Sequence, residues 1–360
     1  MKFAIAVNLE RFDSADDVRN VTARALELVQ MADEGGFEMV LAQEHHTIEF
    51  VIGPNPFTAM SFWAANTKRI RLGTAVVVPP FWHPIRLAGE AALFDVMSGG
   101  RLDLGFGRGA YQHEFDRMAG GMPHVEGGDF MREMLPLVKS LWQGDVEYKG
   151  KHWAFPRATS VPKPLQKPHP PIWVAARDPG TFDWAIKQGA HIMATPLSRP
   201  HAEVEALVKR FNDTLAANPG VPATRPGRPR LLMLRRGCVY EDKAGEQKAI
   251  DAYITYGRRF ENLFKNIGTV TNGFPEAVGL DHIANRAEFD PGFILEHMVF
   301  GRPDEVVRKL RAYEALGIDL FAFSATFGLP HEMTKRSVEL FIAEVMPHFR
   351  GSQQPARAAE

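Results

Sequence analysis

The feature that most constrains the fold is a regular alternation of short apolar runs with longer segments of helical periodicity. Eight runs have the length and composition of buried strands, and the segments between them carry apolar residues three or four positions apart. The predicted strands are 2–8, 37–42, 70–78, 101–107, 172–176, 191–194, 231–240 and 320–324. Strands that alternate with helices form a parallel sheet, and eight such units close into a barrel. We therefore predict an α/β fold, the (β/α)8 TIM barrel.

Segments with helical spacing occupy most of the chain between these strands. They are 16–34, 57–67, a helix from Pro84, 130–142, a helix from Pro179, 202–215, 244–265, 303–316 and 332–349. The stretch 149–171 is rich in Lys-Pro and His-Pro pairs, and we predict an irregular surface loop there. The stretch 268–291 lacks periodicity, so we predict an insertion after the seventh strand that serves as a mobile lid. We expect one domain over residues 1–350, a loop over 218–228 and a disordered tail over residues 351–360.

Charge and cysteine content narrow the function classes. The 360 residues carry a formal net charge of −1, which argues against a nucleic-acid partner because phosphate neutralisation requires a basic surface. The single cysteine, Cys238, excludes an internal disulfide, and its strand-like setting predicts a buried, unreactive thiol. No apolar run approaches membrane-spanning length, and the N-terminal residues do not form a signal peptide. We therefore expect a cytoplasmic protein without a membrane partner.

A glycine-rich stretch lies at the end of the fourth predicted strand, G-F-G-R-G-A-Y over residues 105–111. Glycine has no Cβ to block a close approach, and the planar guanidinium of Arg108 between two glycines suits a phosphate or another anion. The spacing also fits the dinucleotide-binding pattern G-x-G-x-x-A. We reject that interpretation because residues 112–129 are polar and glycine-rich, without the helix and the acidic second strand that the motif requires.

In TIM barrels the chemistry lies at the C-terminal ends of the strands, which gives a set of candidate residues. They are Glu44, His45, His46, Thr74, Ala75, Val76, Arg108, Ala176, Arg177, Asp178, Thr195, Ser324, Ala325 and Thr326. A Glu-His-His trio at one strand end indicates a site more strongly than a lone histidine does. Adjacent histidines on a strand point to opposite faces and no H-x-H spacing is present, so we predict no metal site.

Several of these strand ends fall within collinear motifs. The motifs are E-H-H-T-I-E-F (44–50), N-P-F (55–57), G-T-A-V-V-V (73–78), H-P-I-R (83–86) and G-R-L-D-L-G-F-G-R-G-A-Y (100–111). Together they resemble the bacterial luciferase-like family of flavin-dependent monooxygenases, and the resemblance runs nearly from end to end. W-H-P-I-R-L-A-G-E-A-A and I-W-V-A-A-R-D-P are more similar to the terpene and alkane monooxygenase branch than to the light emitters.

The resemblance implies a site for reduced FMN (FMNH2) at the barrel mouth. It assigns the essential histidine to His45, with His46 beside it, and a non-prolyl cis peptide under the isoalloxazine ring to Ala75–Val76. It assigns a phosphate contact to Arg108 and an anion site to the helix N-terminus after the fifth strand. The expected cofactor-binding residues are Glu44, Ala75, Val76, Arg108, Ala176, Arg177, Asp178, Gly180, Thr181 and Thr195. The expected walls of the substrate pocket are Phe81, Trp82 and Tyr111.

Several positions depart from the luciferase pattern. Arg177 and Asp178 replace an acidic residue and a serine after the fifth strand, and Gly107 replaces a reactive cysteine. Glu126 stands near the place of a second phosphate-binding arginine, for which Arg132 is the nearest substitute. Arg177 and Asp178 are also interpreted as a local ion pair.

The favoured function is an FMNH2-dependent monooxygenase that inserts one atom of O2 into a small apolar or carbonyl substrate through a flavin C4a-hydroperoxide. In this hypothesis His45 is the general acid or base, and a separate reductase supplies reduced flavin by using NAD(P)H. The helix over 84–97 is rich in small residues that allow close helix packing, and the resemblance implies that it forms the interface of a homodimer or of a dimer with a related subunit. Two alternatives stay open: an F420-dependent dehydrogenase or reductase on the same barrel, and a non-catalytic flavin-binding protein.

Overall fold

The computed structural model describes residues 1–221 and 227–349. The strands are β1 (Lys2–Ala6), β2 (Met39–Ala42), β3 (Arg71–Thr74), β4 (Leu102–Phe106), β5 (Val146–Lys149), β6 (Ala154–Ala158), β7 (Ile172–Ala175), β8 (His191–Ala194), β9 (Leu231–Val239), β10 (Val270–Thr271), β11 (Phe274–Pro275), β12 (Val299–Gly301) and β13 (Leu320–Ser324). The helices are α1 (Val18–Gly35), α2 (Pro56–Ala65), α3 (Pro84–Met97), α4 (Gln112–Met118), α5 (Gly127–Gln143), α6 (Pro179–Lys187), α7 (His201–Ala217), α8 (Lys243–Lys265), α9 (Leu280–Ile283), α10 (Pro291–His297), α11 (Pro303–Ala315) and α12 (His331–Leu340).

Eight parallel strands close into a barrel, which confirms the predicted TIM-barrel fold. Their order is β1-β2-β3-β4-β7-β8-β9-β13, and β13 pairs with β1 to complete the ring. One set of side chains fills the barrel interior: Ala4, Ala6, Met39, Leu41, Trp173, Met193, Leu232, Leu320 and Ala322. The alternate residues face outward and pack against the helices in a larger apolar core. The strands are therefore buried on both faces, which explains why they form nearly continuous apolar runs.

Local sequence signals set several helix boundaries. Asp17, Asn55 and Asp242 cap α1, α2 and α8 by accepting a hydrogen bond from a backbone amide in the first turn. Gly36 ends α1 in the left-handed conformation, with φ of 89°. Within residues 1–221 and 227–349, none of the helices combines the length and the apolar composition that a membrane-crossing helix needs.

The segments between the barrel units are more regular than the sequence predicted. Part of the loop predicted at 149–171 is an antiparallel hairpin of β5 and β6, in which Tyr148 pairs with Phe155. The insertion at 268–291 contains the β10–β11 hairpin and the short helix α9. An additional strand, β12, pairs with β9 at Gly237–Val239, beyond the part of β9 that pairs with β13.

Other predictions concern the length of the third strand, residues outside the described ranges and the division into domains. The third predicted strand is shorter than expected, because β3 ends at Thr74. The disorder prediction for residues 351–360 and part of the loop predicted at 218–228 fall outside the described residues. The assignment of residues 1–350 to one domain stays a prediction.

Gly105 in β4 and Gly107 directly after it bring this strand close to β3 and the residues that follow β3. A Cβ at Gly105 would collide with the Thr74 carbonyl, and a Cβ at Gly107 would collide with the Val76 side chain. The Thr74 hydroxyl locks the contact, because it donates to the Gly105 carbonyl (2.9 Å) and accepts from the Gly105 amide (2.8 Å). The glycine pattern predicts a close approach of another group and leaves that group open. In the structure, β3 and the residues directly after it make this approach, so the glycine spacing serves barrel packing at these two positions.

Asp33 ties the end of α1 to the chain that enters β3. Its carboxylate accepts hydrogen bonds from the amides of Lys68 (2.9 Å), Arg69 (2.9 Å) and Ile70 (2.7 Å). Burial raises the pKa of Asp33, but these three bonds outweigh burial and lower the pKa below the ordinary value of 3.8. The ionised carboxylate therefore stabilises the folded state, fully at neutral pH and progressively less as the pH falls through the lowered pKa.

Replacing Asp33 with asparagine is expected to lower the free energy of unfolding at pH 7 by about 1–3 kcal/mol, because the amide NH2 leaves a buried donor unpaired. The deficit should shrink as the pH falls below about 4, the ordinary pKa of an aspartate, and approaches the lowered pKa of wild-type Asp33. Urea unfolding at several pH values measures it, with the exposed residue Asp213 as the matched Asp→Asn control. A deficit that is constant with pH would contradict the role of the charge.

Candidate active site at the barrel mouth

The loops that follow the barrel strands meet at the C-terminal mouth. The amide of Asn8 after β1 donates to the Thr326 hydroxyl after β13 (2.9 Å). The amide of Val78 after β3 donates to the carboxylate of Glu44 after β2 (2.8 Å). Residues predicted at the ends of neighbouring strands therefore lie at one edge of the barrel, as the parallel arrangement requires.

Glu44 is a buried carboxylate whose two oxygens both have partners in the protein. Its Oε2 accepts hydrogen bonds from the Val78 amide and the Trp82 indole N–H, both at 2.8 Å. Its Oε1 lies 2.9 Å from Nε2 of His46. The Trp82 ring is 6% exposed and packs edge-on against Phe57 in the main core. The hydrogen bonds of Glu44 thus hold the loop after β3 against the end of β2, and the buried Trp82 ring packs that loop against the main core.

His45 is held by a buried carboxylate that the sequence analysis did not single out. Its Nδ1 lies 3.1 Å from Oε1 of Glu114, an oxygen that also accepts a hydrogen bond from the His46 amide (2.7 Å). The imidazole stacks on Tyr111, with ring centres 5.0 Å apart and planes inclined by 24°. A carboxylate on Nδ1 fixes the orientation of the ring and leaves Nε2 as the nitrogen that a ligand meets.

Glu114 lies on the short helix α4, although the polar, glycine-rich stretch 112–129 predicts no helix directly after the motif. The sequence did contain a signal for it, an acidic residue three positions after the tyrosine of the G-R-G-A-Y motif. Its partner His45 is 69 positions away in the chain, so only the fold brings the two together.

His46 points to a different partner from His45. It pairs with Glu44 and meets the ring of Phe81 edge-on at 5.0 Å. Among the residues that the structure describes, no group of three or more His, Cys, Asp or Glu side chains is arranged to hold a metal ion.

Two arginines offer donors for an anion at the mouth. Arg108 extends from the end of β4 as an exposed side chain, and its charge, together with the larger effect of burial, lowers the pKa of His124. Arg132 on α5 donates to the Thr181 hydroxyl at the start of α6 (3.3 Å). Neither guanidinium forms a salt bridge with a carboxylate in the described ranges, so both remain available to an oxyanion.

The N-terminus of α6 is capped by its own sequence. Oδ1 of Asp178 accepts a hydrogen bond from the Thr181 amide (2.8 Å), and a Cβ at Gly180 would lie 3.4 Å from the same oxygen. Burial raises the pKa of Asp178, but the hydrogen bonds with Thr181 and the charge of Arg132 lower it below the ordinary value. The Thr181 amide is therefore not free for a phosphate, whereas the Arg108 and Arg132 guanidinium groups offer charged donors nearby.

Arg177 does not pair with Asp178, so the interpretation of these two residues as a local ion pair is wrong. Nη2 of Arg177 lies 3.3 Å from Oε1 of Glu203 on α7. Nε of Arg177 is buried and has no hydrogen-bond partner within the described chain. Asp178 instead caps the N-terminus of α6, where its short side chain reaches the Thr181 amide in the first turn.

The remaining predicted cofactor residues present small or apolar groups. The peptide bond Ala75–Val76 is cis, as the resemblance implied. Ala176 is buried, and its amide donates to the carbonyl of Met193 (3.0 Å). The Thr195 hydroxyl accepts a hydrogen bond from the Leu197 amide (3.1 Å).

Aromatic side chains gather beside the mouth in what we call the aromatic cap. Its members are Phe12, Phe50, Tyr111, Tyr253, Tyr256 and Phe260. They come from the loops after β1, β2 and β4 and from α8, and neighbouring ring centres lie 4.5–6.2 Å apart in the pairs Phe50–Tyr256, Phe12–Phe50 and Tyr111–Phe260. Tyr111 thus links the cap to His45. The sequence predicted a role for Tyr111 alone among these six residues.

The insertion after β9 reaches the same side of the barrel. The carbonyl of Gly273 accepts a hydrogen bond from the Glu49 amide (2.7 Å), and the Arg11 guanidinium lies over the Phe274 ring at 5.5 Å. The β10–β11 hairpin therefore lies beside the loops after β1 and β2. Its movement as a lid stays a prediction.

Known proteins similar to this chain have closely related descriptions. A family model described as "luciferase-like monooxygenase" matches residues 1–320. The chain is 40% identical over 359 residues to the flavin-dependent trigonelline monooxygenase, oxygenase component, of Acinetobacter baylyi, a match that covers 100% of this chain and 98% of that protein. It is 26% identical over 354 residues to the FMNH2-dependent dimethylsulfone monooxygenase of Pseudomonas putida, with 92% and 89% covered.

A solved structure shows the same architecture. Monooxygenase RslO1 from Streptomyces bottropensis is similar with a TM-score of 0.80 and 28% sequence identity, covering 97% of this chain and 100% of that one. Each of the three matches therefore spans most of both proteins.

Proposed function

The chain belongs to the luciferase-like monooxygenase family, and from that premise we propose that this flavin-dependent monooxygenase receives reduced FMN from a separate NAD(P)H-dependent reductase and transfers one atom of O2 to a small organic substrate. The similar Acinetobacter protein is described as an oxygenase component, and the similar Pseudomonas protein as FMNH2-dependent. Both descriptions support a two-component system. A cytoplasmic location stays a prediction.

The observation that carries the proposal is the His45 imidazole fixed between Glu114 and Tyr111 at the barrel mouth. With Nδ1 directed to the carboxylate, Nε2 is the atom that gives or takes a proton during oxygen transfer. Reduced FMN would supply the electrons that activate O2, and the C4a-hydroperoxide route stays a prediction. The aromatic cap excludes water from the reacting groups.

The donor set at the mouth fits the flavin phosphate. Arg108 and Arg132 have no carboxylate partner in the described ranges, and the buried Nε of Arg177 lacks a hydrogen bond. We assign the phosphate to Arg108 and Arg132, and the support of the flavin ring to Ala75–Val76.

Residues on the outer surface support the proposed dimer. Phe62 on α2 and Leu93, Val96 and Met97 on α3 are exposed apolar side chains on two helices that pack against each other. Large exposed apolar side chains on neighbouring helices are typical of a protein–protein interface. We propose that it pairs two copies of the chain or joins a related subunit.

Anaerobic titration with reduced FMN, and in parallel with reduced F420, tests the cofactor. We expect tight binding of reduced FMN, and substrate-dependent O2 uptake with a coupled flavin reductase and trigonelline as the first test substrate. Preference for F420 without O2 uptake would make the protein a dehydrogenase. Tight flavin binding without oxygenation of any substrate tried would favour the non-catalytic alternative.

Replacing Arg108 with glutamine is expected to weaken reduced FMN binding by about 10- to 100-fold, the loss of one or two charge-assisted hydrogen bonds. Affinity for reduced riboflavin, which lacks the phosphate, should hardly change. Fluorescence titration of both flavins measures the difference, with the exposed Arg157→Gln as the matched control. An equal loss for both flavins would contradict a phosphate contact.

A further inference from the structure

Beside the aromatic cap lies a charged residue that the proposed function does not yet use. Arg236 is on β9, and Leu232 and Leu234 on the same strand line the barrel interior. Residues two positions apart on a strand point to the same face, so Arg236 continues the inward-facing row at the mouth. Its register partner is Ser324, the last residue of β13.

The guanidinium of Arg236 lies against one aromatic face of α8. Its central carbon is 4.2 Å from the ring centre of Tyr256, 5.6 Å from that of Tyr253 and 5.7 Å from that of Phe260. In the described chain it forms no salt bridge. Burial lowers the pKa of Arg236, but the tyrosines and Glu10 more than offset burial, so the side chain stays positively charged.

The nearby acid balances this charge only in part. Burial raises the pKa of Glu10 to about 7, although the Gly328 amide (2.8 Å) and the Asn8 side-chain amide (3.1 Å) donate to it. The raised pKa therefore leaves Glu10 partly protonated, and so partly neutral, near neutral pH. Oδ1 of Asn8, the residue whose Nδ2 donates to Glu10, is buried without a hydrogen-bond partner among the described residues.

This charge is close to the proposed catalytic histidine. Tyr111 stacks on His45 and meets Phe260 edge-on at 6.2 Å, and Phe260 lies against Arg236. The charge of Arg236 also lowers the pKa of Tyr111, against the larger effects of burial and neighbouring acidic groups. A small molecule bound to Arg236 would therefore lie within two aromatic rings of His45.

We propose that Arg236 binds the carboxylate of an aromatic substrate, whose ring packs against the aromatic cap. The inference rests on the proposed function, because it takes the bound molecule to be the substrate of the monooxygenase. The planar guanidinium binds both oxygens of a carboxylate at once, and the half-buried rings of Phe12 and Phe260 in the cap offer apolar surface to a flat ring. The substrate is thus more polar than the apolar or carbonyl compound expected from the sequence.

Matched ligand pairs test the inference by calorimetry on the purified full-length protein without flavin. Each pair differs only by carboxylate against amide: trigonelline and 1-methylnicotinamide, nicotinate and nicotinamide, benzoate and benzamide. We expect the wild type to prefer the carboxylate in at least one pair. Arg236→Gln should remove that preference by lowering carboxylate affinity about 10- to 100-fold with little effect on the amide, and Arg236→Lys should restore part of it.

Two further measurements separate this site from the phosphate site and from a folding defect. Arg236→Gln should leave the preference for reduced FMN over reduced riboflavin unchanged, whereas Arg108→Gln removes it. Glu10→Gln should bind the carboxylate at least as tightly as the wild type, because a neutral amide replaces a competing acid. No carboxylate preference in any pair, or an equal loss for carboxylate and amide in Arg236→Gln, would overturn the proposal. Loss of the FMN preference would reassign Arg236 to the cofactor.

The outcome does not depend on the test of the flavin. Failure to bind reduced FMN contradicts the proposed function, while the carboxylate preference is measured without flavin and tests Arg236 alone.

Discussion

Replacing His45 with alanine is expected to lower the rate of substrate oxygenation by about 10²–10⁴-fold, the usual contribution of a positioned general acid or base. His46 cannot take over, because its Nε2 is engaged by the buried Glu44 at 2.9 Å. We expect the variant still to bind reduced FMN and to consume O2. Oxygen not delivered to the substrate should appear as hydrogen peroxide, so product and peroxide are measured together in the reductase-coupled assay.

The controls separate acid–base chemistry from packing. His45→Gln keeps a polar side chain next to Tyr111 but cannot exchange a proton near neutral pH, and it should be as inactive as the alanine variant. His348→Ala removes an exposed histidine near the end of the described chain and should be fully active. If His45→Gln retained most of the activity, the general acid–base role would be wrong. Loss of FMN binding in both variants would make His45 a cofactor ligand.

Replacing Gly105 with alanine is expected to lower the free energy of unfolding by about 3 kcal/mol, the upper end of the usual cost of overpacking. The new Cβ would collide with the backbone carbonyl oxygen of Thr74. A backbone atom of a paired strand cannot move aside as the end of a flexible side chain can. The Thr74 hydroxyl also bonds both the amide and the carbonyl of Gly105, so separating the strands breaks those bonds as well.

Gly89→Ala is the matched control. Gly89 lies inside α3, and the atom nearest to an added Cβ is the Val161 carbonyl oxygen at 3.5 Å, an ordinary contact. That variant should be more stable by about 0.5–1 kcal/mol, since alanine costs less conformational entropy in a helix. Urea unfolding compares the two. Equal stability of Gly105→Ala and the wild type would show that β3 and β4 are not packed as described.

The barrel was predictable from sequence because its strands are buried on both faces and its helices begin at caps such as Asp17 and Asn55. These signals are local patterns in the sequence, so they can be recognised without knowledge of the fold. The β5–β6 hairpin was missed because its strands are only four and five residues long and Phe155 is the only buried residue in them.

Site residues were predictable only where a motif carried them. His45 and Arg108 lie in recognisable runs, whereas Glu114 and Arg236 stand among ordinary helix and strand residues. Their importance comes from partners far along the chain, such as His45 for Glu114. The glycines of β4 show a second limit, because the same spacing serves a ligand or a neighbouring strand, and only the position of Thr74 decides between them.

Arg108, Tyr111 and Glu114 lie on one short segment, from the end of β4 into α4. Any exchange of this segment between family members transplants the proposed phosphate contact, the ring under the imidazole and the carboxylate that orients it as one unit. Cofactor preference and the acid–base chemistry of His45 are therefore not separate targets for loop grafting. Exchange of the whole segment to alter the flavin phosphate site also changes the residues that orient His45. A point substitution at Arg108 leaves those residues in place.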